Sequence, residues 1–115
     1  MDSVRQQKVA RLLQKELGEY FRANTREFFG GALITVTVVR ISPDMSVAKA
    51  YLSLFIVGNK FGKEELLDAI NEQKREIRKY ISMITKSQLR IVPELIFYVD
   101  DSLDYAEKID SLLKK

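Results

Sequence analysis

Two groups of cations in this chain are spaced so that a helix would set each along one side. Lys8, Arg11 and Lys15 recur at steps of three and four, with Arg5 one turn earlier, and a helical turn places such positions on a common face. Lys74, Arg75, Arg78 and Lys79 fall on adjacent turns of a second helical stretch, followed by Lys86 and Arg90. Lysine and arginine fixed on a rigid surface neutralise phosphates and release the counterions condensed on them, which is how proteins grip a nucleic-acid backbone. A solvated helix face has the same look. The phosphate reading therefore depends on the fold bringing the two basic helices side by side.

Other chemistries find few residues to work with. Histidine and cysteine are both absent, which removes the commonest general base and metal ligand, along with disulfides and thiol nucleophiles. The Asp100-Asp101 pair could hold Mg²⁺, but between a strand and a helix such residues more often serve as N-caps. Gly58-Asn59-Lys60-Phe61-Gly62 lacks the Lys-Ser/Thr pair that a phosphate loop carries after its last glycine, so turn geometry explains it better. Tyr51 and Phe55 could stack on bases from a sheet face. No RNP-like sequence surrounds them, however, and packing or partial exposure is the simpler account. Phe61 either touches a partner or anchors its loop. The expectation is a protein without catalytic residues, metal, cofactor or small-molecule substrate.

Composition agrees with a soluble globular chain. Its 115 residues, 46% apolar and 30% charged, suit one domain over 1–115 that is long enough to bury a real core. No stretch approaches the roughly 18 apolar residues of a membrane span, and the Met1-Asp2-Ser3 start is not a basic-then-apolar signal; a cytoplasmic protein is expected. The net charge of +3 is unevenly spread. From Glu72 to Arg90 six cations stand against two anions, whereas from Glu94 onward six acids outnumber three lysines. Such a molecule should be electrically two-sided.

The elements that must position these charges follow from periodicity. Ser3 and Gln6 form a capping-box pattern, opening a helix whose apolar stripe is Val9, Leu12, Leu13, Leu17, Tyr20 and Phe21 and whose end is expected near Arg22 or Asn24. After the loop Phe28-Phe29-Gly30-Gly31, the β-branched run from Leu33 to Ile41 reads as a strand. Ser42-Pro43-Asp44-Met45-Ser46 has turn chemistry, and a second strand runs from Val47 to Val57. On it Ala48, Ala50, Leu52, Leu54 and Ile56 share an apolar face, opposite Val47, Lys49, Tyr51, Ser53 and Phe55. Leu66, Leu67, Ile70, Ile77, Ile81 and Ile84 mark a helical segment with a hole at Gln73 and Lys74, meaning a kink, a break or an exposed turn. In LRIVPELIFYVD (Leu89 to Asp100), Leu95, Phe97 and Val99 alternate as a third strand. Pro93 sets its start, while Arg90 either extends the basic surface or pairs with Glu94 or an acid further on. Asp101 or Ser102 caps a last helix with Leu103, Ala106, Ile109 and Leu113 on its stripe. A five-residue turn makes the first two strands an antiparallel hairpin, and a helical crossover suits a parallel third strand. The expected fold is α+β, with a three-stranded mixed sheet and helices packed on one face, compatible with a KH-type module.

Three strings carry a more specific resemblance: Arg5-Gln6-Gln7-Lys8-Val9, then Ile41-Ser42-Pro43-Asp44-Met45-Ser46-Val47-Ala48-Lys49-Ala50-Tyr51, then Leu89-Arg90-Ile91-Val92-Pro93-Glu94-Leu95-Ile96-Phe97-Tyr98-Val99-Asp100. With Glu76-Ile77-Arg78, they stand in the order and spacing of the ribosome-binding factor A family, and the chain resembles that family over nearly its whole length. The resemblance implies a type II KH-like fold and a non-enzymatic assembly factor. Such a factor binds the immature 30S subunit and its 16S rRNA, promotes maturation of the 16S 5′ region, and supports growth in the cold. A monomer with no membrane partner is expected. The RNA-binding set would be Arg5, Lys8, Arg11, Lys15, Lys74, Arg75, Arg78, Lys79, Lys86 and Arg90. Family members usually carry an Ala-x-Gly kink between two helices, where this chain has Gln73-Lys74-Arg75. That departure adds two cations at the turn. The alternative from another class is an adaptor whose basic face meets an acidic protein.

Overall fold

The computed structural model describes residues 3–56, 62–89 and 91–100. Its elements are α1 (Val4–Phe28), β1 (Leu33–Ile41), β2 (Val47–Phe55), α2 (Lys63–Glu72), α3 (Lys74–Ile84) and β3 (Glu94–Val99). Arg90, Phe61 and the expected last helix lie outside the described residues.

Helix α1 opens as its sequence dictates. Gln6 N–H donates to Ser3 Oγ at 3.1 Å, and Ser3 N–H donates to Gln6 Oε1 at 2.8 Å. The Gln6 amide also reaches the Ile41 carbonyl at 2.9 Å, so one buried side chain caps the helix and ties it to the end of β1. Losing that donor would strand a buried carbonyl at a cost of ~1–3 kcal/mol. The helix runs past the expected end near Arg22 or Asn24. Thr25 explains the difference: its carbonyl accepts from both Phe29 and Gly31, and its hydroxyl donates to the Ala32 carbonyl. Gly30 and Gly31, at φ 63° and 77°, then turn the chain out of the helix, a conformation that glycine adopts without steric cost.

The sheet has the order β1-β2-β3, with β1 antiparallel and β3 parallel to the central β2. Strand β3 starts at Glu94, directly after the buried Pro93. Strict alternation along β1 would put Val38 and Arg40 on the same face as Ile34 and Val36. A bulge prevents this, because Val36 pairs with Leu52 while Val38 pairs with Tyr51, leaving Thr37 as the extra residue. Val39 and Ile41 therefore turn inward and Arg40 outward. The Gln14 amide lies over the bulge, 3.0 Å from the Val36 carbonyl and 3.2 Å from that of Thr37.

The three described helices cover one face. Val9, Leu13, Leu17, Tyr20 and Phe21 of α1, Leu66 and Ile70 of α2, and Ile77 and Ile81 of α3 form one cluster with Ala48, Ala50, Leu52, Leu95 and Phe97. The alanines let the helices approach the central strand. Phe21 holds the middle, edge-on to Tyr20, Phe29 and Phe97 at centroid distances of 6.0, 5.7 and 6.0 Å. Ile84, expected in the core stripe, is exposed instead, and Thr85 takes the buried place by donating to the Ile81 carbonyl at 2.6 Å. The fold is α+β and KH-like, of type II.

Candidate nucleic-acid interface

The hole in the hydrophobic stripe is a break between two helices. Gln73 ends α2 and precedes α3 with φ −88° and ψ 2°, the bridge conformation of a turn. Its N–H still bonds back to Ala69 and Ile70, and Ile77 N–H bonds to the Gln73 carbonyl. The chain thus changes direction there with little loss of hydrogen bonds and no glycine.

Immediately beyond the break the four clustered cations of α3 come together. Lys74, Arg75, Arg78 and Lys79 line an open hollow of about 1050 Å³ whose opposite wall is Val92, Glu94 and Leu95 at the entrance of β3. They are not equivalent. Arg78 donates to the Val92 carbonyl at 3.0 Å, which fixes its guanidinium across the hollow. Lys74 is half-buried with its ammonium 5.9 Å from the centroid of Phe97, a cation–π contact that turns it toward the core. Arg75 and Lys79 are exposed. Among the described residues no ion pair ties up any of the four. Glu72, Glu76 and Glu94 also line the hollow, so acids stand among the cations of its lining.

The first basic group lies on α1. Arg5, Lys8, Arg11 and Lys15 are all exposed, but they do not share one hollow. Arg5 stands with Asp44, Met45 and Ile91 near the hairpin turn, and Lys15 lies beside Arg22 toward β1. Helices α1 and α3 do pack together, through Tyr20 and Tyr80 at a ring distance of 5.3 Å. Acids crowd that seam. Burial first, then the charges of Glu76 and Glu27, raise the Tyr20 pKa, and burial, then Glu16 and Glu19, raise that of Tyr80. Glu76 and Lys79 line one groove with Tyr20 and Tyr80 between these helices, so acid and cation meet there, and Arg5 and Lys15 of α1 line different hollows from the α3 cations. Lys86 is exposed just beyond α3.

Residue identity and spacing pointed to the α3 cations, but not to the anchoring of Arg78 or the ring under Lys74. Both depend on β3 lying beside α3, a contact that spacing along one helix does not encode. Among the described residues no group of three acids could hold a metal ion, and no helix there is long and apolar enough to cross a membrane. Asp100 accepts from the Thr37 hydroxyl at 2.8 Å, while Asp101 lies outside the described residues.

Comparison with known proteins agrees with this architecture. The family model described as ribosome-binding factor A matches residues 5–113. The chain belongs to the ribosome-binding factor A family. Its similarity to the ribosome-binding factor A of Cytophaga hutchinsonii is 47% identity over 115 residues, covering 100% of this chain and 84% of that protein. The crystal structure of ribosome-binding factor A from Thermus thermophilus superposes with a TM-score of 0.64 at 23% identity, over 82% of this chain and 94% of that one. A homology model of the Thermus thermophilus factor, fitted into a cryo-EM map of a complex of 30S with ribosome-binding factor A, gives a TM-score of 0.59 at 25% identity, covering 78% and 89% of the two chains.

Proposed function

We propose that this chain is a non-enzymatic assembly factor that binds the immature 30S subunit in the cytoplasm and promotes maturation of the 5′ end of its 16S rRNA. It acts as a monomer, one domain over residues 1–115. The observation that carries this reading is the hollow at the α2–α3 break, where Arg75, Arg78 and Lys79 converge opposite the β3 entrance. Arg78, held by the Val92 carbonyl, supplies a pre-positioned guanidinium for a phosphate, and Arg75 and Lys79 supply mobile charges on either side. Lys86 and the α1 cations Arg5, Lys8, Arg11 and Lys15 make outlying contacts, while Lys74 chiefly covers Phe97. Family membership supports the ribosome as partner, as does the 30S complex in which the Thermus factor was fitted.

Binding of this kind alters RNA by favouring one of its conformations, with no bond made or broken by the protein. A strain lacking its own factor tests the proposal. The wild-type chain should restore mature 16S 5′ ends and growth in the cold, and the charge reversal Arg75→Glu with Lys79→Glu should restore neither while remaining folded. Full rescue by the double variant would remove the hollow from the account.

A further inference from the structure

The face of the sheet that none of the described helices covers carries two features that folding alone does not explain. The first is the register pair Arg40↔Lys49 between β1 and β2. Like charges directly opposite one another in a sheet are destabilising, and both side chains are exposed with no ion pair among the described residues. The bulge at Thr37 creates this situation by turning Arg40 outward. Of the acids near this face, Asp100 accepts from the Thr37 hydroxyl and lines one small hollow with Arg40 and Tyr51, without an ion pair to Arg40, and Glu94 pairs in register with Val47, two residues before Lys49. The second feature lies beside them. Tyr51 and Tyr98, register partners on β2 and β3, stack at 5.3 Å with their planes 22° apart. Because β3 is the edge strand, Tyr98 is the outer ring of that stack, and it is 40% exposed.

We propose that this face binds a short single-stranded RNA segment, one base continuing the Tyr51–Tyr98 stack and the neighbouring phosphates resting between Arg40 and Lys49. A polyanion removes the repulsion between the two cations, and an exposed tyrosine face accepts any base. Single-stranded rather than duplex RNA is required, since bases paired in a helix do not present their faces. The surface lies across the sheet from α3, so it is a second contact, independent of the hollow described above.

The test measures binding of the full chain to a labelled single-stranded oligouridylate about ten nucleotides long, a size within the range that small folds cover. Arg40→Gln with Lys49→Gln should stabilise the fold, raising its urea midpoint, yet weaken RNA binding and flatten the log–log salt dependence by about 1.4. Tyr98→Ala should weaken binding about 5- to 150-fold, and Tyr98→Phe, which keeps the stacked ring, should not. Unchanged oligouridylate affinity in both the double glutamine variant and Tyr98→Ala overturns the proposal. So does a loss of small-subunit binding without loss of oligouridylate binding, which would assign the face to a protein. Arg75→Gln with Lys79→Gln separates the two surfaces: if it alone abolishes oligouridylate binding, the sheet face is refuted and the hollow stands.

Discussion

Replacing Arg75 and Lys79 by glutamine removes two cations from the α3 hollow without disturbing what holds it. Both side chains are exposed, whereas the neighbouring Arg78 and Lys74 are engaged with Val92 and Phe97. If each removed cation neutralises one phosphate of structured rRNA, the log–log slope of affinity against salt should fall by about 1.8. Relative to a 1 M reference, that is about 60-fold weaker binding at about 0.1 M salt and about 9-fold weaker at about 0.3 M. The assay is a salt series of equilibrium binding to precursor small subunits, with circular dichroism to verify the fold. The variant and wild-type lines should converge as salt rises. Parallel lines, or lines that coincide, would show that these side chains neutralise no phosphate, and the mechanism would fail.

Other consequences concern stability. Gly18 lies inside α1, and a Cβ built on it meets nothing within 4 Å, so Gly18→Ala should raise the urea-unfolding free energy by ~1 kcal/mol. The Asp44 pKa is lowered from 3.8 to about 2 by the hydroxyls of Ser46 and then Ser42. Its depressed value means that its contribution is complete above the unfolded pKa and is lost as pH falls toward 2; acid titration of Asp44→Asn should lack that component. The raised pKa values of Tyr20 and Tyr80 act at the other end. Their stabilisation is present below the ordinary tyrosine value of 10.0 and declines as pH rises through the folded values. Alkaline unfolding of Tyr20→Phe with Tyr80→Phe should accordingly show a weaker pH dependence.

Much of the fold could be read from period and punctuation. Ser3 and Gln6 announced α1, the β-branched run from Leu33 announced β1, and the polar hole at Gln73 announced the break between α2 and α3. The structure departs from that pattern where a particular hydrogen bond or contact, and not the apolar period, decided the outcome. α1 outlasts its apolar stripe because the carbonyl and hydroxyl of Thr25 tie its end to Gly31 and Ala32. Ile84 yields its core position to Thr85, whose hydroxyl is satisfied within the helix by Ile81. The bulge at Thr37 left no mark in the strand's composition, although it decides which way Arg40 points. At the candidate site, spacing identified the basic helices but missed the seam of Glu16, Glu19, Glu27 and Glu76 between them, because each acid reads as an ordinary solvated position until Tyr20 meets Tyr80.

If the hollow at the α2–α3 break faces rRNA, a photo-crosslinking amino acid placed in it lies within reach of the RNA. Installed in place of Lys79 or Ser82, which line the hollow, it should crosslink to 16S rRNA on precursor small subunits, and in place of the exposed Thr35 on β1, at the sheet edge opposite β3, it should not. Crosslinks from Thr35 but none from the hollow, or crosslinks from the hollow to ribosomal protein alone, would contradict this placement.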